Sequence, residues 1–453
     1  MDTYQLKDQV GIIRETFGYI NRFKGSTFVF TLDSTLLNHP LFPLLIKDLV
    51  LLHKMGIRIV VVPGARLRIN EVLKTYGIRC RTVEGVRITT ARAIPFIKMA
   101  AFDVCNRIMT MLSEHSANAV IGNWVRARAI GVRDGIDYKN SGVVEKLKSD
   151  IVKSVIDEGL VPIFPTIGWS AAGKPYNISA AELAFTVGSE LQVRKLFFVT
   201  STDGIRAKGR TVPDDVYVSS SGIISQLRLQ QAGSFLEANR KKKYDSELEL
   251  VSLAHKACLS GVERVHIVNG GVEGMILKEI FSNRGLGTMV YASEHEHIRP
   301  MTHPDIPEII RLMRPSVEDE SLVPREFGHF EQHLADYYVY EVDGTIHGCG
   351  ALHVHSGRMG EIAGLVVDRL YANMGVGGKL IAFLVDKAKG LKLHKVFVLT
   401  TRAADRFMQE GFTEAGPTVL PESKKKVYDK ARNSRVLVRV LRTRTGSRRV
   451  AVE

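Results

Sequence analysis

The sequence predicts an α/β protein with two domains, and three observations support this fold class. Up to residue 296, apolar runs of strand length alternate with amphipathic runs of helical length. Such alternation is typical of a mostly parallel sheet that helices cover on both faces. From residue 297 onward, two helices precede three or four strands, an order typical of an α+β domain. The length of 453 residues allows two or three domains of ordinary size.

The first domain begins with residues 5–23, whose apolar side chains recur every three to four positions and predict an amphipathic helix. The strands predicted after it are Thr27–Leu32, Ile57–Val62, Leu160–Phe164, Lys195–Thr200 and Arg264–Val268. The predicted helices are Pro43–Met55, Ile69–Thr75, Ala91–Ser113, Ile151–Glu158, Ser179–Leu191 and Glu247–Leu259. A polar stretch without periodicity follows, and we place the domain boundary in it, at residue 296.

The second domain, residues 297–442, has a different order of elements. Its predicted helices are Asp305–Met313, Phe327–Ala335, Leu380–Ala388 and Ala404–Glu410. Its predicted strands are Tyr337–Val342, His347–His353, Glu361–Val367 and Lys395–Thr401. Residues 443–453 remain as a basic tail for which the sequence indicates no function.

The composition excludes several classes of protein. A hydrophobic fraction of 45% and a charged fraction of 24% exclude a largely disordered chain. No stretch reaches the roughly 18 apolar residues of a membrane helix, and the first eight residues contain no secretory signal. The four cysteines form no Cys-x-x-Cys pair, which favours a reducing cytoplasm. The net charge of +14 leaves nucleic acid, a membrane surface or an anionic small molecule as partners.

A glycine-rich turn, residues 373–380, connects a strand of the second domain to a helix. A turn of this kind directs unpaired backbone N–H groups and the positive end of the helix dipole at one point. This arrangement suits a pyrophosphate group. Considered without its surroundings, the pattern also fits an ordinary turn into a helix.

The order of strand, glycine turn, helix, strand, helix and a final Gly411-Phe412 resembles the GCN5-related N-acetyltransferase family over about residues 299–442. The resemblance implies acetyl-CoA as co-substrate and no metal. It also implies that the pantetheine arm bonds to the strand before the turn and the pyrophosphate to the helix start. The matching positions are Leu365, Val366 and Val367 for the arm, and Val376, Gly377, Gly378 and Lys379 for the pyrophosphate.

Acetyl transfer to an amine needs a base for the ammonium proton and donors for the oxyanion. Glu361 lies shortly before the acyl-CoA positions, and it is the candidate base, acting through water. The alternative is an exposed carboxylate on a strand. Two positions depart from the family: Ala372 replaces an Arg or Gln at the start of the turn, and Phe407 replaces the Tyr that many relatives use as general acid.

Two arginines indicate the acceptor, because a guanidinium binds a carboxylate in two parallel bonds. Arg325 and Arg432 would suit an acceptor with two carboxylates, although both could be ordinary surface arginines. Six ordered segments resemble the bacterial N-acetylglutamate synthase family: Ile298–Met301, Leu312–Pro315, Gly348–Leu352, Gly360–Ala363, Val398–Thr401 and Arg432–Ser434. The resemblance implies L-glutamate as acceptor in the first step of arginine biosynthesis. It assigns Arg325, Arg432 and Ser434 to glutamate binding and Glu361 to the base.

That family carries an amino-acid-kinase domain in front, but the phosphate-binding positions of this chain are altered. Thr31 replaces a lysine, Asp33 and Ser34 replace two glycines, and only Gly64 remains of a second glycine group. Because phosphoryl transfer needs charge neutralisation and close backbone approach, we expect a catalytically inactive kinase domain. Two alternatives remain, a front domain that still phosphorylates N-acetylglutamate and a non-catalytic arginine-sensing regulator.

The end of the first domain resembles the arginine-sensing segment of arginine-inhibited relatives. The matching positions for L-arginine are His266, Glu279 and Gly285. A carboxylate and a backbone carbonyl can hold a guanidinium. The alternative is that His266 caps a strand and Glu279 is a solvated helix residue. In the sensitive relatives an N-terminal helix joins subunits into a hexameric ring, so the resemblance implies a homo-hexamer.

Two further features do not predict sites. His353 and His355 lie at strand spacing with His347 nearby, but no third metal ligand has an obvious spacing, so we expect a solvated face. The arginines of the C-terminal tail have no interleaved aromatic residues. Nucleic acid is therefore not an expected partner.

Overall fold

The computed structural model describes residues 20–21, 23–240, 244–281, 286–292, 296–342, 345–368, 375–426, 428 and 434–441. The chain divides into two compact units between residues 293 and 294. The N-terminal helix predicted over residues 5–23 lies mostly outside the described residues. So do Ala372, Arg432, Gly285 and the tail after residue 442.

The first unit contains eighteen strands among its described residues. They are β1 Thr27–Leu32, β2 Arg58–Pro63, β3 Thr82–Val83, β4 Val86–Arg87, β5 Ala119–Ile121, β6 Val125–Ala129, β7 Val132–Arg133, β8 Ile136–Asp137, β9 Gly142–Leu147, β10 Val161–Ile163, β11 Ile167–Trp169, β12 Pro175–Asn177, β13 Lys195–Thr200, β14 Ile205–Arg206, β15 Ile223–Ile224, β16 Gln226–Arg228, β17 Arg264–Asn269 and β18 Thr288–Tyr291. Its helices are α1 Phe42–Lys54, α2 Arg66–Thr75, α3 Ile94–Glu114, α4 Ser149–Asp157, α5 Ala180–Glu190, α6 Leu229–Ala238, α7 Ser246–Leu259 and α8 Met275–Phe281.

An eight-stranded sheet in the order β16-β18-β17-β13-β1-β2-β10-β5 forms the centre of this unit. Neighbouring strands are parallel except for the antiparallel pair β17–β18. Alternate side chains of β1 enter different cores: Phe28 and Phe30 pack with α1, α2, α3 and α8, whereas Val29 packs with α4, α5, α6 and α7. Helices therefore cover both faces of the sheet, and the predicted three-layer α/β fold is confirmed.

A second sheet of four strands, β12-β11-β6-β9, is a feature that the sequence analysis does not predict. Three of its strands have three to five residues, which is too short for a clear period of two. In β6, Arg126 and Arg128 alternate with Ala127, so the run also lacks the bulky apolar residues by which strands are usually identified.

The second unit contains seven strands, which are β19 Glu296–Pro300, β20 Tyr337–Val342, β21 Thr345–His355, β22 Met359–Val367, β23 Lys395–Thr400, β24 Thr413–Ala415 and β25 Arg435–Val440. Its helices are α9 Ile306–Glu318, α10 Phe327–Gln332, α11 Val376–Gly390, α12 Ala404–Gln409 and α13 Glu422–Lys425. The strands form one sheet in the order β19-β20-β21-β22-β23-β25-β24, in which only β22 and β23 are parallel neighbours.

Two cores cover this sheet. On β20, Tyr338 packs in the core that contains α11, whereas Tyr337 and Val339 pack in the core that contains α9. Helices thus lie on both faces of a mainly antiparallel sheet, and the predicted α+β class of the second domain is confirmed. Across the described residues of both units, no helix has the length and apolar character needed to span a membrane.

Gly287 lies in the first unit immediately before β18 and beside the backbone of β17. A Cβ atom at this position would overlap the carbonyl oxygen of Ile267. The neighbouring Thr288 is fully buried, and its hydroxyl accepts a hydrogen bond of 2.8 Å from the backbone N–H of Ile205. The carbonyl of Ile267 on one side and the hydrogen bond of Thr288 on the other therefore leave the backbone little freedom to make room for a side chain.

We expect Gly287→Ala to destabilise the first unit by about 1–3 kcal/mol, because overpacking forces a backbone shift. Gly188→Ala is the matched control, since a Cβ in α5 would meet its nearest neighbour at an ordinary 3.5 Å. The free energy of unfolding of that control should stay the same or rise by up to about 1 kcal/mol, because Ala has a higher helix propensity than Gly. Differential scanning calorimetry measures both variants. Equal melting temperatures for Gly287→Ala and the parent protein would contradict the packing argument.

Candidate functional sites

A change in strand pairing along β22 marks the centre of the second unit. β22 pairs in parallel with β23 through Met359–Ile362 only, whereas its antiparallel pairing with β21 continues to Val367. Within the described residues, no ladder partner therefore lies on the β23 side of Leu365, Val366 and Val367. An open strand edge can accept an extended chain of amide groups as an additional strand. This edge is where the sequence predicts the pantetheine arm.

The first turn of α11 presents an open backbone at the end of the glycine-rich segment. Gly375 precedes the helix with a φ of 76°, in the left-handed region that favours glycine. A Cβ on Gly377 would meet only Val367, at 3.9 Å, so a ligand has room beside this peptide. A Cβ on Gly378 would lie 2.6 Å from a guanidinium nitrogen of Arg406. The unpaired N–H groups and the helix dipole make this turn suitable for a phosphate group.

The other two residues predicted at the pyrophosphate have different surroundings. Val376 is buried and packs with Tyr340 and Leu380, so only its backbone can serve a ligand. The ammonium of Lys379 lies 5.9 Å from the ring centroid of Tyr340. This position in the first turn keeps a positive charge next to the predicted phosphate site.

Glu361, the candidate base, is buried with a side-chain exposure of 6%. Its Oε2 accepts from the ammonium of Lys424 at 2.8 Å and contacts Nε2 of His355 at 3.0 Å. A buried carboxylate is stable only with such partners. The alternative interpretation of Glu361 as an exposed strand carboxylate is therefore wrong.

Sequence reasoning missed Lys424 and His355. Lys424 lies on α13 within a basic run, where nothing in the pattern distinguishes it from solvated lysines. His355 lies on β21, two residues from His353 on the same strand face. Both side chains are 15% exposed, so the predicted solvated face is wrong. Only the folded structure brings both side chains to the carboxylate of β22.

Arg325 lies in the loop before α10, and its guanidinium packs against the backbone of β22. Gly364 has a φ of 58°, and a Cβ there would overlap Nη1 of Arg325, so only glycine permits this approach. Nη1 is buried and has no hydrogen-bond partner among the described residues. The guanidinium also lies 5.9 Å from the ring centroid of Tyr337. Because an unpaired buried donor is costly, the geometry favours an anionic ligand at this nitrogen.

Ser434 is half-buried just before β25, and its carbonyl accepts a hydrogen bond of 2.8 Å from the hydroxyl of Tyr428. It therefore lies beside the end of β23, where Arg435 pairs with Thr400. Arg402, two residues after β23, bonds to the carboxylate of Asp319 at 3.2 Å, in the loop that leads to Arg325. Both segments that carry described acceptor residues thus reach the same end of the sheet.

Phe407 belongs to the hydrophobic core of the second unit. It is 2% exposed, and its ring packs edge to face on Phe412 at 5.4 Å. The residue at this position has no dissociable proton and no polar contact. Any acid for the leaving thiolate must therefore come from another group or from water.

In the first unit, the ends of β1 and β2 close against each other at the predicted phosphate positions. The backbone N–H of Gly64 donates to the carbonyl of Leu32 at 2.7 Å, and a Cβ on Gly64 would lie 3.1 Å from the backbone nitrogen of Ser34. The carboxylate of Asp33 accepts from the backbone N–H of Thr35 at 2.8 Å. A carboxylate beside a closed turn offers phosphates neither a positive charge nor space.

His266 and Glu279 form a buried pair between β17 and α8. Nδ1 of His266 lies 2.7 Å from Oε1 of Glu279, and the side chains are 3% and 1% exposed. Oε2 of Glu279 accepts from the backbone N–H of Leu286 at 2.8 Å, and the ring of Phe197 stacks on His266 at 4.7 Å. The alternative interpretation, a strand cap and a solvated helix residue, is therefore wrong.

The protonation of this pair follows from its burial. Burial lowers the pKa of His266 to about 4, although the bond to Glu279 acts in the opposite direction. Burial would raise the pKa of Glu279, but the hydrogen bond from His266 and the charges nearby lower it below its usual range. Near neutral pH a neutral His266 therefore donates Nδ1–H to an ionised Glu279. Its buried Nε2, without a partner among the described residues, is then an acceptor for a ligand donor such as a guanidinium.

Comparison with known proteins supports both halves of this description. Residues 25–269 match the amino acid kinase family, and residues 304–412 match the acetyltransferase (GNAT) family. An amino-acid acetyltransferase of Pasteurella multocida (strain Pm70) is 31% identical over 440 residues, which cover 96% of this chain and 98% of the relative. An amino-acid acetyltransferase of Escherichia coli (strain K12) is 32% identical over 437 residues, with coverage of 94% and 96%.

Solved structures give the same result. N-acetylglutamate synthase from Neisseria gonorrhoeae complexed with coenzyme A and L-arginine superimposes with a TM-score of 0.76 at 32% identity, covering 95% of this chain and 99% of that one. The complex of the same enzyme with coenzyme A and N-acetyl-glutamate gives a TM-score of 0.58, with coverage of 96% and 99%. The resemblance inferred from the sequence motifs is confirmed. The chain therefore belongs to the amino-acid acetyltransferase family and joins an amino acid kinase family domain to a GNAT domain.

Proposed function

We propose that the protein transfers the acetyl group of acetyl-CoA to the α-amine of L-glutamate, the first step of arginine biosynthesis. The observation that carries the proposal is the buried, unpartnered Nη1 of Arg325, held against Gly364 next to the open edge of β22. A cationic anchor and an acyl-CoA edge on one strand suit an anionic amine acceptor. The relatives named as amino-acid acetyltransferases, and the gonococcal enzyme with coenzyme A and N-acetyl-glutamate, support this substrate choice.

The co-substrate is acetyl-CoA, and no metal takes part in the transfer. The pantetheine arm bonds to the backbone of Leu365, Val366 and Val367, which lack a partner on the β23 side within the described residues. The pyrophosphate lies at the α11 first turn, from Val376 to Lys379, where the backbone N–H of Lys379 already donates to the carbonyl of Gly375. With the arm and the pyrophosphate bound in this way, the thioester lies near Ile362, where the pairing of β22 with β23 ends.

The acceptor is held by its carboxylates. Arg325 binds one of them through the fork that includes Nη1, and Arg432 and Ser434 bind the other. Arg432 lies outside the described residues, whereas Ser434 lies at the start of β25 beside the end of β23. Two separate anchors orient the α-amine and discriminate against amino acids with a single carboxylate.

Glu361 acts as the base. Lys424 and His355 hold its Oε2, so Oε1 accepts the ammonium proton through an ordered water. The free amine then attacks the acetyl carbon, and the C–N bond forms as the carbonyl becomes an oxyanion. Collapse of this intermediate breaks the C–S bond and expels the CoA thiolate. The nitrogen loses its second proton to water, and water delivers a proton to the thiolate, since Phe407 has none to give.

Regulation by L-arginine is the second part of the proposal. The guanidinium binds at the buried pair, where Glu279 supplies charge and Nε2 of His266 supplies an acceptor. The resemblance adds Gly285, which lies outside the described residues. The kinase-like domain acts as an inactive arginine sensor in a homo-hexamer, and arginine inhibits acetyl transfer. The gonococcal relative in complex with L-arginine supports an effector of this kind. The free cysteines of the described residues suit a reducing cytoplasm.

Replacement of the base tests the reaction itself. We expect Glu361→Gln to lower kcat for acetyl transfer to glutamate by about 10²–10⁴-fold, the usual contribution of a general base. The residual rate should rise with pH, because more of the substrate amine is then unprotonated. The measurement is thiol release from acetyl-CoA across a panel of amino acids.

Glu414→Gln provides the control, because Glu414 forms an exposed ion pair with Arg435 at 2.7 Å in the same unit. This variant should keep the parent rate. Absence of turnover with glutamate in the parent protein would overturn the proposed function. ATP consumption in the presence of N-acetylglutamate, measured in parallel, would instead support the kinase alternative.

Arg325→Lys tests the acceptor anchor. Lysine keeps the charge but loses the planar fork, so the KM for glutamate should rise at least tenfold while the KM for acetyl-CoA changes little. Steady-state kinetics with each substrate varied in turn measures this difference. The exposed Arg358 is the matched control, and Arg358→Lys should leave both KM values unchanged. An equal effect of Arg325→Lys on both KM values would contradict the assignment.

Glu279→Gln tests the arginine site. Loss of the carboxylate charge should raise the arginine concentration for half-inhibition at least tenfold, since a hydrogen bond to a charged group contributes about 1.5–3 kcal/mol. The same variant should lose the arginine-induced rise in melting temperature. Glu263→Gln is the control, because Glu263 pairs with Arg194 near the protein surface at 3.1 Å. Unchanged arginine sensitivity of Glu279→Gln would place the effector elsewhere.

A further inference from the structure

Four side chains with metal-binding chemistry converge in the second unit beside the candidate base, because His353 is the strand partner of Glu361, but none of the four has a role in the proposed reaction. They come from α10, from the segment between α10 and β20, and from β21: His329, His333, Asp336 and His353. Residue spacing alone indicates no third ligand for the histidines of β21. The fold supplies one, because the α10–β20 connection packs against the end of β21.

The closest three of these residues share one carboxylate oxygen. Oδ2 of Asp336 lies 2.7 Å from Nδ1 of His353 and 3.3 Å from Nδ1 of His333. All three ligand atoms lie within 4.8 Å of one another. In a tetrahedral zinc site with bonds of about 2.0–2.1 Å, ligand atoms are roughly 3.3 Å apart. Small rotations of these side chains are therefore enough to place their atoms around one ion.

His329 extends the set. It precedes His333 by four residues, a spacing that places two histidines on one helical face and that metal-binding helices use. Its ring centroid lies 4.7 Å from that of His333 and 6.5 Å from that of His353. Nε2 of His329 contacts the hydroxyl of Tyr337 at 3.4 Å. The residue can thus serve as a fourth ligand, or it can orient the group that does.

The two histidines of β21 have separate roles. His355 contacts the catalytic candidate Glu361, whereas His353 contacts Asp336. Side-chain exposures of 42% for His333, 33% for Asp336 and 15% for His353 leave a path for an ion from solvent. A hydrogen-bonded network without metal is the competing interpretation. Against it, one carboxylate oxygen faces two imidazole nitrogens, with a third imidazole in contact.

We propose that His333, Asp336 and His353, with His329 beside them, form a binding site for a divalent transition metal of the zinc class. Imidazole and carboxylate ligands favour Zn²⁺ over Mg²⁺ or Ca²⁺, which prefer oxygen ligands only. Bound metal ties the α10 segment to β21 and stabilises the second unit. The site stands independently of the proposed acetyl transfer, since none of its ligands takes part in that reaction.

Metal binding to the full chain tests the proposal. Protein without a histidine tag is stripped with a chelator, and its zinc affinity is measured by competition with a chromophoric chelator. We expect one zinc per chain after desalting and a higher melting temperature of the second unit with zinc. Co²⁺ in the same site should give the visible absorption of a tetrahedral complex.

His353→Gln and Asp336→Asn should each weaken zinc binding at least tenfold and remove the zinc-induced rise in melting temperature. His333→Gln, at a more exposed position, keeps the test valid if either of the other variants fails to fold. His303→Gln is the matched control, because His303 forms an exposed contact of 2.8 Å with Glu331 outside the cluster. That control should bind zinc as the parent does. No retained zinc in the parent, or equal affinity in all the variants, would overturn the proposal.

Discussion

Strand β22 pairs with β21 along its length but with β23 over only its first four residues. Much of the second unit's chemistry follows from this divergence. Past the last shared pair, the backbone of β22 must find hydrogen-bond partners other than β23, and an extended ligand can provide them. The left-handed Gly364 lies in the divergent part and makes room for the guanidinium of Arg325. β22 thus carries Glu361, the glycine that contacts Arg325, and the edge from Leu365 to Val367 that β23 leaves open.

Buried charge is the second constraint, and the two units handle it in related ways. The buried carboxylate of Glu361 is held by Lys424 and His355, which offset part of the cost of its burial. At Arg325 one buried donor lacks a partner among the described residues, and an anionic substrate would satisfy it. At His266 the buried Nε2 is an acceptor without a partner among the described residues, and a cationic effector would supply the donor. Each unit thus contains a buried polar atom without a partner among the described residues: a donor in the second unit and an acceptor in the first.

The first unit has the fold of the amino acid kinase family, but its strand ends differ from what phosphate binding requires. Its eight-stranded sheet and two helical layers match the amino acid kinase family over residues 25–269. At the ends of β1 and β2, however, Gly64 bonds to Leu32, and the carboxylate of Asp33 caps the following turn. Packing of the core and access for phosphates are separate properties, because the core lies between layers whereas phosphates bind at the strand ends.

Sequence patterning determined the class of both units, the ends of long elements such as β1 and β13, and the glycine turn before α11. These features depend on local periodicity and on conformations that only glycine adopts readily. The short strands of the second sheet, the burial of Glu361 and the pairing of His266 with Glu279 depended on the tertiary structure. So did the convergence of His333, Asp336 and His353. Their partners lie on other strands or segments, and no pattern along the chain specifies which side chains a sheet brings within hydrogen-bond distance.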